Sequence, residues 1–319
     1  MEDLLWVMEC PGLIAEAGMP TVTDAECRKL LAQSSGEWAR LRSDPGLLER
    51  FILLHQKSGR LGNRFETLLQ FWLEKMLGVS EIAHGIAIRE GGFTLGELDF
   101  VFRSHDGGVE HWEAAVKFFM CVAPTPELAA RADSFVGQAL VDRLDRKLAL
   151  ALEKQLPLAT TPRAREVLAS LGFTGPVRSR LFFKGRLFYP LAWNWRDVQG
   201  PSEVSPQHQR GWWISWEGAD SIDGLVRAEK AAFSGVGRRA WVLLPKERWM
   251  GRVSESEASG GWLEEEQLRR RLDEHFASSR NALQLARVEQ LSDGSWQEPP
   301  FDRGLGRGMI LPPGWPGSV

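Results

Sequence analysis

Gly96-Glu97-Leu98-Asp99-Phe100 carries two carboxylates two residues apart, and Trp112-Glu113-Ala114-Ala115-Val116-Lys117-Phe118 carries a third with an ammonium four residues on. In an extended chain, residues two or four apart share a face, so Glu97 and Asp99 form one set and Glu113, Ala115 and Lys117 another. Between the two stretches, Ser104-His105-Asp106-Gly107-Gly108 holds an Asp-Gly turn signal, which makes them the arms of a hairpin. An in-phase register gathers three carboxylates and one ammonium. Hard divalent cations such as Mg2+ or Mn2+ prefer carboxylate oxygens and, with few protein ligands, keep water and substrate phosphate in their other positions. A bound water can then become the attacking hydroxide.

A bland alternative stands beside this one, because acid-lysine pairs on a strand face are commonly solvated salt bridges. Two features favour chemistry. Phe93, Val101 and Phe119 flank the charges, and buried like charges are costly without a metal or a cationic partner. Glu66 repeats the oddity on a helix, at the shoulder of the apolar stripe made by Phe65, Leu69, Leu73 and Met76.

The elements that must carry these groups follow from pattern. Asp44-Pro45 opens a helix that breaks at Ser58-Gly59, and a second helix runs over 61–77 to Gly78. Strands are expected over 81–89, 93–103 and 109–120, the first two separated by Gly91-Gly92. A long amphipathic helix is expected over 133–155, with Val141, Leu144, Leu148 and Leu152 at core spacing, ended by Pro157. A shorter helix over 162–171 follows Thr160-Thr161. Lys184-Gly185 reads as the turn of another hairpin, with arms over 177–183 and 186–189. Asp142, Arg143, Asp145, Arg146 and Lys147 read as opposite charges on a solvated helix face. Beyond a Pro, Ser and Gln-rich excursion over 197–210, strands are expected over 211–216, 239–244, 283–290 and 308–311, with helices over 221–231 and 264–276.

Bulk composition narrows the function classes. The 319 residues are 43% hydrophobic and 25% charged, as in ordinary globular proteins. A net charge of −3 gives no overall cationic field, so any phosphate-binding surface must be local. Three cysteines without CxxC spacing argue against a disulfide framework or structural zinc, and the six histidines show no HxH or HExxH spacing. The start, Met1-Glu2-Asp3-Leu4-Leu5-Trp6, lacks the basic lead and apolar run of a signal peptide, and no stretch reaches the roughly 18 apolar residues of a membrane span. A cytoplasmic setting is expected. There is no P-loop and no Gly-x-Ser-x-Gly elbow.

The order helix, three strands, helix, strand, with a Glu on the first helix, acids on the second strand and Glu plus Lys on the third, resembles the PD-(D/E)XK nuclease-like superfamily. The resemblance implies Asp99 and Glu113 as metal ligands, with Lys117 orienting water or offsetting charge on phosphorus. Glu66 would complete the acidic cluster and Glu97 would supply a second carboxylate beside Asp99. The superfamily's third strand has its acid two residues before the lysine, and here that position is Ala115. Glu113 stands two residues earlier, roughly 6 to 7 Å further along the strand.

A second resemblance covers most of the chain. Arg60-Leu61-Gly62-Asn63-Arg64-Phe65-Glu66, Leu95-Gly96-Glu97-Leu98-Asp99-Phe100, Ala114-Ala115-Val116-Lys117-Phe118, Asp142-Arg143-Leu144-Asp145-Arg146-Lys147-Leu148, Gly185-Arg186-Leu187-Phe188-Tyr189-Pro190 and Arg210-Gly211-Trp212-Trp213 are similar to a bacterial family of unknown function, DUF1853.

The expected fold is therefore α/β: a helical segment over 1–44, a nuclease-like core over 45–196, and an α/β extension over 197–319 that is either separate or continuous with the core. The expected activity is Mg2+- or Mn2+-dependent hydrolysis of nucleic-acid phosphodiesters, with Arg60, Arg64, Arg143 and Lys147 as groups for substrate phosphate. The alternative is a degenerate nuclease fold that binds nucleic acid or a protein without cleaving. A third class is an interaction module that uses the Trp-rich C-terminal part as its contact surface.

Overall fold

The computed structural model describes residues 1–232, 238–254, 257, 261–299 and 305–317. The N-terminal part supplies helices α1 (Glu2–Glu9), α2 (Asp24–Gln33), α3 (Ser35–Ser43), α4 (Gly46–His55) and α5 (Leu61–Phe71), the last continued by a π turn, Trp72–Met76. Strands β1 (Ile82–Glu90), β2 (Phe93–Arg103) and β3 (Val109–Cys121) follow as an antiparallel meander. After a short β4 (Phe135–Val136) come α6 (Leu144–Leu150) with its own π turn, Ala151–Gln155, then α7 (Leu156–Leu158) and α8 (Pro162–Ser170). The remainder is β5 (Val177–Pro190), β6 (Gln209–Ser215), α9 (Ala219–Ala232), β7 (Arg239–Leu244), β8 (Trp262–Leu263), α10 (Glu265–Ser278), β9 (Leu283–Gln290), β10 (Trp296–Gln297) and β11 (Arg307–Leu311).

All these strands join one mixed sheet in the order β1-β2-β3-β5-β6-β11-β9-β7-β8, with β4 on β3 and β10 on β9. Its centre, β3-β5-β6-β11, is parallel and its flanks are antiparallel. Strands at the centre of such a sheet are covered on both faces, and β5 shows how. Phe182 and Phe188 enter one core with α1, α5, Trp112 and Val116, while Leu181, Phe183 and Leu187 enter another with α6, α9, α10 and Phe119. The excursion over 197–210 connects β5 to β6, adjacent strands of that sheet, so the N-terminal and C-terminal strands share hydrogen bonds directly.

Asp3 ties the ends of this arrangement together. It is 1% exposed, accepts from Arg64 Nε at 2.9 Å and from the Gly251 N–H at 3.0 Å, and pairs with Arg248 at 2.9 Å.

Several sequence expectations are corrected. The helix expected over 133–155 begins only at Leu144. Phe135 and Val136 instead pair with Cys121 and Met120 on the edge of β3, and the chain turns through Gly137, whose N–H donates to Asp142 O at 2.9 Å. Pro157 does not end the helical stretch, which runs on through Leu158. The hairpin expected at Lys184-Gly185 is one unbroken strand, β5, parallel to β3. Gly185 marks close approach and not a turn: a Cβ there would lie 1.9 Å from the carbonyl oxygen of Lys117, its partner in the ladder. Asp142 and Arg143 precede α6 and do not share its solvated face. Arg143 pairs with Asp145 at 2.5 Å, two residues on. None of the fourteen tryptophans is exposed: Trp212, Trp216, Trp241, Trp249, Trp296 and Trp315 pack in the cores, and Trp193, Trp213 and Trp262 are half-buried.

Candidate functional site

The β2–β3 ladder runs from Arg103↔Val109 to Phe100↔Trp112 and stops. Beyond that pair the strands part, β2 staying with β1 and β3 with β5. Asp99 is the first residue past the fork. Its Oδ2 accepts the main-chain N–H of Ala114 at 2.9 Å, replacing the peptide carbonyl that a continued ladder would supply. On its other side, the ladder to β1 skips between His84↔Phe100 and Ile86↔Leu98, at Gly85, which holds φ +62.

The fork opens into a cavity of about 1030 Å3 whose lining includes Glu66 from α5, Asp99 from β2, the freed edge of β3 from Glu113 to Phe119, Lys147 and Gln155 from α6 and its π turn, and Lys246 and Trp249 from the C-terminal part. Glu66 and Asp99 also line a small adjacent pocket with Glu97, Lys57 and His84. The apolar spacing of α5 explains Glu66: Leu61, Phe65, Leu68 and Leu69 are buried against the sheet, and the next position along leans over its edge.

Burial dominates the electrostatics. Glu113 is 1% exposed, and its Oε1 receives Lys147 Nζ at 3.3 Å. Its Oε2 is buried and receives no hydrogen bond from a donor group. The Glu113 and Asp99 carboxyls lie close enough for each charge to act on the other, so ionising both at once is costly. Burial pushes both above the ordinary carboxylate range, and for Glu113 the charge on Asp99 adds to that push. Glu66 is pushed up to about 7, by burial first and then by Asp99 and Glu97.

Thus Asp99, Glu113 and Glu66 come together, with Glu97 behind them. Lys117 lines the same cavity but pairs with Asp142 at 2.8 Å, so the ammonium on the acidic pair comes from Lys147. Arg60, at the start of α5, lines the cavity and is exposed. Arg64 is committed to Asp3, and Arg143 to Asp145. Sequence reasoning missed Gln155, Lys246 and Trp249. Only a contact across the sheet brings the last two to the site, and the phase of Gln155 depends on a π turn that has no sequence signature.

Among the described residues no group of three or more His, Cys, Asp or Glu is arranged to hold a metal ion. Mg2+ is commonly held by one or two carboxylates with water and phosphate completing its shell, and Asp99 with the unpartnered Glu113 Oε2 suits that smaller donor set. Among the described residues no helix is long and apolar enough to cross a membrane. Neither the curated proteins nor the solved structures give a match to this chain. A family model described as a domain of unknown function, DUF1853, matches residues 2–310, nearly the whole length, and the chain belongs to that family.

Proposed function

We propose that the protein is a divalent-metal-dependent nuclease that hydrolyses nucleic-acid phosphodiesters on a PD-(D/E)XK-like core. The observation that supports this most is the fork at Asp99, where a buried and a half-buried carboxyl from neighbouring strands, Glu113 and Asp99, stand at the wall of a wide, cation-edged cavity. A carboxyl pair of this kind is costly to ionise in isolation, and a bound divalent cation relieves that cost. Asp99 and Glu113 would hold Mg2+ or Mn2+, with Glu66 and Glu97 behind them. Such an ion supplies a water of lowered pKa and charge to offset the transferring phosphoryl group. Arg60, Lys147 and Lys246 put local positive charge around an otherwise slightly acidic protein, which is what a phosphate backbone requires.

A second proposal, a nuclease fold that binds nucleic acid without cleaving it, draws on two observations. Ala115 stands where the superfamily's acid would be, and Lys147 already neutralises Glu113. Single- and double-stranded DNA and RNA incubated with Mg2+ or Mn2+ separate the two. Metal-dependent cleavage that Asp99→Asn abolishes supports the enzyme. Salt-dependent binding with no cleavage by the wild type supports the binding module and overturns the enzyme.

A further inference from the structure

We propose that the reacting phosphate is held by Lys147 together with Gln155, and not by Lys117. This rests on the phosphodiester reading of the cavity and assigns the site's cationic group.

Lys147 is built in. Its Nζ donates to Glu113 Oε1 at 3.3 Å and to Gln155 Oε1 at 3.0 Å, and lies 5.0 Å from the centre of the Phe183 ring. Its side chain is 18% exposed. An ammonium has three N–H donors. Two are used by these partners, and the third is left for the cavity that Lys147 lines.

Gln155 extends the donor set. With its Oε1 turned to an ammonium, its amide nitrogen must face away, and that nitrogen offers two more N–H groups beside the lysine. The two residues meet because of the backbone between them. Eight residues of regular α-helix would leave Gln155 roughly 80° round the axis from Lys147. The π turn Ala151–Gln155, wider than an α turn, removes most of that offset. The irregularity therefore has a geometric result at the cavity wall, next to Glu113.

Lys117 is placed otherwise. It is four residues from Glu113, roughly 13 Å along a strand. Its Nζ is 2.8 Å from Asp142 Oδ2, an exposed carboxylate at the end of the turn between β4 and α6, and makes no contact with Glu113 or Asp99 among the described residues. In this assignment Lys117 fastens that turn to β3.

The test is titration of the full-length protein with inorganic phosphate, followed by 31P NMR with and without Mg2+, in parallel with cleavage assays. Lys147→Ala is expected to weaken phosphate binding by roughly 10-fold or more, the loss of one charged hydrogen bond. Gln155→Ala is expected to weaken it by roughly 3-fold, with Lys147→Arg restoring part of the Lys147→Ala loss. Lys117→Ala is expected to lose less than Lys147→Ala. Should Lys147→Ala fail to fold, having stripped Glu113 of its cation, Gln155→Ala keeps the ammonium and decides alone. Phosphate affinity unchanged in Gln155→Ala, a larger loss in Lys117→Ala than in Lys147→Ala, or no phosphate binding by the wild type overturns the assignment. Cleavage absent in the wild type with the phosphate pattern intact sinks the nuclease and leaves this site standing. Cleavage that depends on Lys117 and not on Lys147 does the reverse.

Discussion

The Asp99 carboxylate occupies the place of a main-chain acceptor: its Oδ2 takes the Ala114 N–H at 2.9 Å where the β2–β3 ladder ends. One side chain thus both terminates a sheet ladder and presents an acid to a cavity. The roles separate by substitution. Asp99→Asn keeps an oxygen that can accept from Ala114 and removes a charge, so its stability in urea is expected to equal or exceed that of the wild type. Asp99→Ala leaves a buried N–H without a partner and is expected to lose about 1 to 3 kcal/mol.

Acid titration gives a second expectation. Glu66 is pushed up to about 7, and Asp99 and Glu113 are both held above the ordinary range. A carboxyl whose folded pKa exceeds its unfolded value binds protons more tightly when folded, so its contribution is complete below about pH 4 and is lost as pH rises through the folded value. Thermal stability should therefore decline from about pH 4 to pH 7 and beyond by a few degrees, of the order of 1 kcal/mol per group after solvent screening. Mg2+ or Mn2+ should flatten the decline at its alkaline end, and Asp99→Asn should weaken that metal effect. A pH profile identical with and without metal would remove the carboxylates as its ligands.

Close strand packing gives a third. A Cβ at Gly185 would lie 1.9 Å from the Lys117 carbonyl oxygen, so Gly185→Ala must push β5 away from β3. Both strands are central, and the loss should reach about 3 kcal/mol or more. Urea unfolding of the variant, or its failure to accumulate in soluble form, reads this out.

The fourth concerns a buried charge cluster. Arg307 is fully buried, pairs with Glu298, and donates to Gln284 Oε1 and to Gly251 O, both at 2.6 Å. Arg307→Met would strand the Glu298 carboxylate, which is itself 3% exposed, and should cost about 3 to 5 kcal/mol. Arg307→Met combined with Glu298→Leu should recover much of that loss in chemical denaturation.

The site was legible in part because strand alternation is a local rule. The expected hairpin of β2 and β3 formed, and with it the meeting of Asp99 and Glu113. What alternation could not supply was the fork, since a ladder's end depends on which neighbour each strand prefers. Lys117 carries the expected charge, yet its partner comes from a turn where the periodicity predicts helix: the spacing of Val141, Leu144, Leu148 and Leu152 cannot show that the helix starts at Leu144. Gly185 departs from its local signal for a related reason. A glycine beside a lysine suggests a turn, whereas here it permits close contact between two distant strands. The wall carrying Lys246 and Trp249 lies far along the chain, and no local pattern points from it to the acids.

Asp3 has a consequence in time as well as in space. It fastens Arg64, on the helix that carries Glu66, to Arg248 and Gly251, beside the turn that carries Lys246. The bond between Asp3 and Gly251 spans 248 positions, and contacts of such separation form late. During synthesis the acids emerge long before this wall, so a nascent chain carries the carboxyl pair without its enclosure. The chamber closes only when the C-terminal strands have joined the sheet, which delays a complete site until most of the chain has been made.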